Sequence, residues 1–129
     1  MRMLAQAAEL RAALVVDDDA EMCWVLKVAL ELAQRSVTVA QTGRQALALV
    51  TERSFPIAFV DARLPDMNGL QLATEMIRID QAMRIILISG YYSADDQSIV
   101  EAMTRRQVHG FLAKPFEIST IIAAARAHD

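Results

Sequence analysis

Five short apolar runs alternate along this chain with longer segments in which apolar residues recur at the spacing of a helix. The runs occupy residues 12–16, 36–40, 57–61, 84–89 and 110–113. Short runs rich in Val and Ile are typical of buried strands, and the intervening spacing is typical of helices. The strict alternation predicts an α/β domain in which a doubly wound, five-stranded parallel sheet is covered by five helices.

The helical segments can be placed by their caps and apolar stripes. The first is predicted over residues 20–34, and the second begins after Thr42, which can cap it, and ends before residues 54–56. The third carries the apolar positions of residues 70–77, the fourth spans about residues 94–104, and the fifth spans residues 117–127. In the fifth, Ile118, Ile122 and Ala125 share one face, and Ile121 lies outside it. A second apolar face predicts a docking or dimer surface, with an ordinary surface helix as the alternative.

Length and composition restrict the class of protein. The 129 residues suffice for one domain with its own core, predicted over residues 12–129 after a short extension of residues 1–11. A net charge of −3 argues against direct nucleic-acid binding by this segment. No apolar run approaches the ~20 residues that cross a bilayer, and the start does not read as a signal peptide. Cys23, the only cysteine, fits a reducing cytoplasm and is interpreted as a packing residue.

Polar residues with a common chemistry follow the predicted strands. Asp17 and Asp18 follow the first strand, Asp61 ends the third, Ser89 ends the fourth and Lys114 follows the fifth. A parallel sheet gathers such residues at one edge. Paired carboxylates without a nearby histidine or cysteine suit a hard divalent cation such as Mg2+. Lys114 and the Ser89 hydroxyl could then hold the oxygens of a phosphoryl group.

The same residues carry a family resemblance. The motifs are Val15-Val16-Asp17-Asp18, then Asp61 with residues 64–69 (Leu-Pro-Asp-Met-Asn-Gly), then Ser89-Gly90, then Lys114-Pro115-Phe116. In this order and spacing, over about residues 12–127, the chain resembles the receiver domain of two-component response regulators. The resemblance implies the flavodoxin-like strand order 2-1-3-4-5. It also implies a cytoplasmic signalling switch rather than an enzyme with a separate substrate.

The resemblance further implies a role for each site residue. Asp61 would accept a phosphoryl group from a sensor histidine kinase. Asp18, Asp61 and the backbone carbonyl of Arg63 would ligate Mg2+, with Asp17 acting through water. Ser89 and Lys114 would contact the phosphoryl oxygens.

Phe111 would stand at an aromatic switch position, where tyrosine is frequent. Phosphorylation would remodel the face formed by helix 4, strand 5 and helix 5, which would control an output domain or effector protein or form a homodimer.

An enzyme with similar chemistry is the alternative. Mg2+-dependent phosphohydrolases of the haloacid dehalogenase type also use a strand-end aspartate, a serine or threonine, and a lysine. They place a second aspartate two residues after the nucleophile, and here that position is Arg63. Asp66, Asn68 and Gly69 are interpreted as turn residues, and His109 and His128 as surface or capping residues.

Overall fold

The computed structural model describes residues 10–128 and contains one parallel sheet with helices on both faces. The strands are β1 (Ala12–Val16), β2 (Ser36–Ala40), β3 (Ile57–Asp61), β4 (Arg84–Ser89) and β5 (Gly110–Ala113). The helices are α1 (Ala20–Leu32), α2 (Gly43–Glu52), α3 (Gly69–Ile79), α4 (Gln97–Thr104) and α5 (Ile118–Ala127). Apart from Leu10 and Arg11, the predicted extension of residues 1–11 lies outside the described residues.

The strand order is β2-β1-β3-β4-β5, and each neighbouring pair is parallel. The predicted fold and order are therefore confirmed. In this order the chain reverses its direction of winding beside β1, so β1 and β3 are adjacent at the centre. The carboxyl ends of β1, β3 and β4 consequently open on one edge, where open α/β sheets bind their ligands.

Two apolar layers hold the helices to the sheet. One layer contains alternate residues of the central strands, such as Leu14 and Val60, with helices α2, α3 and α4. The other contains the residues in between, such as Val15 and Phe59, with helices α1 and α5. Both faces of the central strands are buried, which explains why their sequences are continuous apolar runs rather than alternating ones.

Two helices are shorter than predicted by two or more residues. Helix α1 ends at Leu32 because Gln34 adopts φ 64°, a left-handed conformation that terminates an α-helix. Helix α4 begins at Gln97 because the preceding segment forms a turn of its own. In that turn Ser93 N–H donates to Asp96 Oδ2 at 2.8 Å and Asp96 N–H donates to the Ser93 carbonyl at 3.1 Å.

The buried face of α5 agrees only in part with the apolar face identified from the sequence. Ile121 and Ala125 are the buried residues, one turn apart, and they pack against α1 and the sheet. Ile118 and Ile122, predicted to share a face with Ala125, are respectively 41% exposed and half-buried. The helix was hard to orient from sequence because apolar residues occur on most of its circumference. Within the described residues, no helix is both long and apolar enough to cross a membrane.

Candidate functional site

Four strand ends bring the predicted site residues together at one edge of the sheet. Asp17 directly follows β1, Asp61 is the last residue of β3, Ser89 is the last residue of β4, and Lys114 directly follows β5. The side chains of Asp61, Ser89 and Lys114 line one cleft of ≈ 340 Å³, together with Arg63, Gly90 and Tyr91. The Lys114–Pro115 peptide bond beside it is cis.

Lys114 joins the two buried carboxylates. Its Nζ donates to Asp17 Oδ2 and to Asp61 Oδ2, both at 3.2 Å. Asp17 is 1% exposed and Asp61 is 9% exposed, so water screens these pairs only partly. Burial by itself lowers the pKa of Lys114, but the charges of Asp17 and Asp61 outweigh it and raise that pKa above its ordinary value. Lys114 is therefore a fixed positive charge in the cleft.

Asp17, Asp18 and Asp61 form a cluster of three carboxylates. One oxygen from each lies within 4.8 Å of the others. Burial, followed by the charge of Asp61, raises the pKa of Asp17 to about 6, despite the opposing hydrogen bond from the Asp19 N–H and the charge of Lys114. Three clustered negative charges are stabilised by a cation, and an all-oxygen donor set fits Mg2+.

The side chain of Ser89 is held by the loop that follows it. Its Oγ accepts hydrogen bonds from Tyr91 N–H at 2.9 Å and Tyr92 N–H at 2.8 Å, and the residue is buried. Two backbone donors occupy the acceptor positions of the oxygen, which leaves the hydroxyl proton to be donated. The conformation of the β4–α4 loop is thus tied to the position of this hydroxyl.

Arg63 lines the cleft. Its N–H donates to Asp61 Oδ1 at 3.1 Å, and its guanidinium lies 3.7 Å from the centre of the Tyr91 ring. This is a cation–π contact, and the contact itself was not predicted from the sequence. Phe111 in β5 is half-buried and packs against the layer of α2, α3 and α4.

Two residues between the end of β3 and the start of α3 have roles that the sequence did not reveal. Asp66, interpreted as a turn residue, accepts hydrogen bonds from the backbone of α2. Gly69 lies against the Asp61 backbone, and a Cβ atom there would come within 2.2 Å of the Asp61 carbonyl oxygen. Asn68 caps α3 by accepting from Leu70 N–H at 2.7 Å, a local role in keeping with its interpretation as a turn residue.

The fold and the pocket together define a class: flavodoxin-like domains of the CheY-like type, with an acidic site at the carboxyl ends of the strands. The family model described as "Response regulator receiver domain" matches residues 13–126. The chain belongs to this family, which is the receiver domain of two-component systems.

Known proteins agree with this assignment. The chain is 32% identical over 110 residues to the transcriptional regulatory protein ZraR of Escherichia coli O157:H7, a match of 85% of this chain and 24% of ZraR. It is 28% identical to the regulatory protein YkoG of Bacillus subtilis, covering 88% of this chain and 49% of YkoG. A CheY-like receiver domain from Methanospirillum hungatei superposes with a TM-score of 0.83 at 25% identity, covering 92% of both chains. The chain thus spans about a quarter to a half of these regulators.

Proposed function

We propose that this receiver domain accepts a phosphoryl group on Asp61 from a phosphohistidine of a sensor histidine kinase. The observation that carries the proposal is the Lys114 ammonium, 3.2 Å from Asp61 Oδ2, inside a cleft at the carboxyl edge of the sheet. An ammonium in this position compensates the charge of an aspartate and of a phosphoryl group attached to it. We assign the domain to residues 12–129 and its location to the cytoplasm.

Mg2+ is the cofactor that the donor set suits. Asp18, Asp61 and the backbone carbonyl of Arg63 would hold the ion, with Asp17 acting through water. Burial and the charge of Asp61 raise the pKa of Asp17, so the ionised form of this carboxyl is disfavoured and a nearby cation would stabilise it. When bound, the ion would neutralise negative charge that develops on the phosphoryl oxygens.

The chain's own groups orient the attack. Arg63 N–H holds one oxygen of Asp61 at 3.1 Å and Lys114 holds the other at 3.2 Å, so the carboxylate has a defined direction. One Asp61 oxygen forms a bond to phosphorus while the bond from phosphorus to the imidazole nitrogen of the donor breaks. The electron pair of that bond stays on the imidazole nitrogen, and Lys114 faces the transferred oxygens.

The switch begins at Ser89. The Ser89 hydroxyl would donate a hydrogen bond to a phosphoryl oxygen. Because Ser89 Oγ accepts from Tyr91 N–H and Tyr92 N–H, movement of Ser89 would also move these two residues. Inward movement of the β4–α4 loop would leave space for Phe111 to turn. The face of α4, β5 and α5 would then control an attached output domain or effector protein, or form a homodimer. Spontaneous hydrolysis of the acyl phosphate would reset the switch, without turnover of a separate substrate.

The proposal predicts acid-labile labelling of one residue. Incubation with acetyl phosphate and Mg2+ should add one phosphoryl group per chain, detected by intact-mass spectrometry at neutral pH and lost in acid. Asp61→Asn should abolish the label, because an amide is not a nucleophile for phosphorus. Asp80→Asn is the matched control, since the Asp80 side chain, at the end of α3, accepts from Ala82 N–H, which an amide oxygen also does.

Two results would count against this assignment. Persistent labelling of the Asp61→Asn variant would remove Asp61 as the acceptor. Catalytic turnover of a generic phosphate ester by the wild type would support the phosphohydrolase alternative. That enzyme needs a carboxylic acid at the position of Arg63, whose side chain instead stacks on Tyr91.

A further inference from the structure

The tip of the loop between β3 and α3 is bonded to a different helix. Gly43 N–H donates to Asp66 Oδ1 at 2.8 Å, and Arg44 N–H donates to Asp66 Oδ2 at 3.0 Å. These amides belong to the first turn of α2, 22 and 23 positions before Asp66 in the chain. Each carboxylate oxygen therefore serves one backbone donor, and the negative charge lies at the positive end of the helix.

The contact completes the cap of α2. Thr42 Oγ1 accepts from Gln45 N–H at 3.1 Å, so Thr42 and Asp66 together satisfy the amides of Gly43, Arg44 and Gln45. Met67 lies against the same turn, because a Cβ atom added to Gly43 would come within 2.5 Å of the Met67 side chain. Two consecutive residues of the loop thus rest on the start of α2.

The other end of the loop reaches the phosphoryl site through backbone contacts. Gly69 N–H donates to the Ala62 carbonyl at 2.8 Å, and Leu64 N–H donates to the Met67 carbonyl at 3.2 Å. Arg63 pairs with Asn68 as an isolated antiparallel bridge. The loop is closed on itself like a short hairpin, so a displacement of its tip displaces Arg63 as well.

We propose that Asp66 is a positioning residue of the phosphoryl site: by anchoring the loop to α2, it holds the Arg63 backbone in place for Mg2+. This inference rests on the proposed function, since it assumes that the Arg63 carbonyl is a ligand of the ion. It also links α2 to the site, because binding at Arg63 and the contact at Gly43 and Arg44 involve the same closed loop. Asp66 itself touches neither the ion nor the phosphoryl group.

The test compares two caps of one helix. Mg2+ binding to the full chain is measured by isothermal titration calorimetry for wild type, Asp66→Ala, Asp66→Asn and Thr42→Ala. Removal of a residue that positions a metal ligand without binding the metal lowers metal affinity by about tenfold, which is the effect expected for Asp66→Ala. Asp66→Asn retains one acceptor and should lose about threefold, an intermediate effect. Thr42→Ala removes a cap of α2 without touching the loop, and its affinity should stay at the wild-type value.

A second measurement detects the coupling between the Arg63 loop and the first turn of α2 without relying on Mg2+ affinity. In nitrogen-15 NMR spectra of the wild type, addition of Mg2+ should shift the amide signals of Gly43 and Arg44. In Asp66→Ala those two signals should no longer respond, although the signals of residues 61–64 still do. Circular dichroism establishes that each variant is folded, and Asp66→Asn carries the test if Asp66→Ala is not.

The outcomes separate this inference from the proposed function. Equal Mg2+ affinity for Asp66→Ala and wild type, with unchanged responses at Gly43 and Arg44, overturns the positioning role alone. An equal loss in Thr42→Ala and Asp66→Ala also overturns it, because the effect would then come from destabilising α2. A wild type that binds no Mg2+ overturns the metal site of the proposed function and this inference with it.

Discussion

His109 lies just before β5 and binds to Ile85 of β4 through both its backbone and its ring. The backbone N–H of His109 donates to the Ile85 carbonyl at 2.7 Å, and the ring Nδ1 of His109 accepts from Ile85 N–H at 3.0 Å. The imidazole thus replaces a backbone acceptor where β5 begins, which requires Nδ1 to be unprotonated. Burial lowers the pKa of His109 below 6.5, and the positive charges of Arg84, His128 and Arg106 lower it further.

This residue should make stability dependent on pH. Because the folded-state pKa of His109 is below its unfolded value, its contribution to the free energy of unfolding is present above pH 6.5 and lost as the pH falls through the folded-state pKa. His109→Asn offers Oδ1 to Ile85 N–H and does not titrate. Lowering the pH from about 7.5 to about 5 should therefore reduce the free energy of unfolding of wild type by about 1 kcal/mol more than that of the variant, as measured by urea unfolding.

The quantity to compare is the difference in unfolding free energy between wild type and His109→Asn, because other groups titrate in the same pH range. The pKa of His128 is lowered by burial and by nearby arginines, and that of Asp17 is raised to about 6. Both groups are present in wild type and in His109→Asn, so most of their contribution cancels. Parallel curves of unfolding free energy against pH would show that the Ile85 hydrogen bond does not depend on the protonation of His109.

The site residues that could be identified from the sequence are those that end or follow an apolar run, because such a run marks a strand and its end. Asp17, Asp61, Ser89 and Lys114 were found in this way, because each follows or ends an apolar run. Asp66 was not found, since its partners lie 22 and 23 positions away and no local pattern marks such a contact. The Arg63–Tyr91 stacking was missed for the same reason.

At the scale of elements, the junction of β3 with α3 depends on close approach of the backbone. A Cβ atom at Gly69 would lie 2.2 Å from the Asp61 carbonyl oxygen and 2.7 Å from Ala62 Cα. These are main-chain atoms, which cannot turn aside as a flexible side chain can. The glycine therefore allows α3 to start directly beside the end of β3, and this places the Asp61 side chain at the edge of the sheet.

Gly69→Ala should accordingly destabilise the domain by about 3 kcal/mol, the upper range of overpacking in a dense interior. Gly90→Ala is the matched control, because its Cβ atom would meet nothing nearer than Lys114 Cβ at 3.6 Å and Gly90 has no positive φ. That variant should differ from wild type by less than about 1 kcal/mol. Chemical unfolding measures both, and equal midpoints would contradict the role given to Gly69.

Boundaries of elements were less predictable than their existence. The strands ended where polar residues or breakers follow, so their bounds agree with the prediction. Helices α1 and α4 were predicted too long, since the left-handed Gln34 and the turn of residues 93–96 are set by hydrogen bonds that an apolar stripe does not report. For α5, alanine and isoleucine on most sides made the buried face ambiguous, and packing on α1 decided it.

For the whole molecule, alternation of strands and helices was sufficient to predict the layered architecture, and the motifs at strand ends supplied the strand order through their family resemblance. The movements proposed for Ser89 and Phe111 could not be predicted from this alternation, because the pattern of apolar runs contains no information on small displacements of side chains.

The last prediction concerns association of two copies. Val100 and Met103 lie three residues apart on α4 and are 48% and 41% exposed, and Ile118 at the start of α5 is 41% exposed. Exposed apolar side chains favour contact with another protein surface. We propose that activation with beryllofluoride and Mg2+ brings these side chains together in a homodimer through the α4, β5 and α5 face, and sedimentation velocity should show a larger species.

Met103→Glu should prevent this shift, because it places a charge in the apolar contact, while Leu32→Glu should not. Leu32 is 60% exposed but lies at the end of α1, which is not part of the face formed by α4, β5 and α5. The pair of variants therefore adds the same charge to two exposed apolar positions and differs only in the surface. A monomer under both conditions would contradict dimerisation, and a dimer that Leu32→Glu disrupts instead would place the interface on α1.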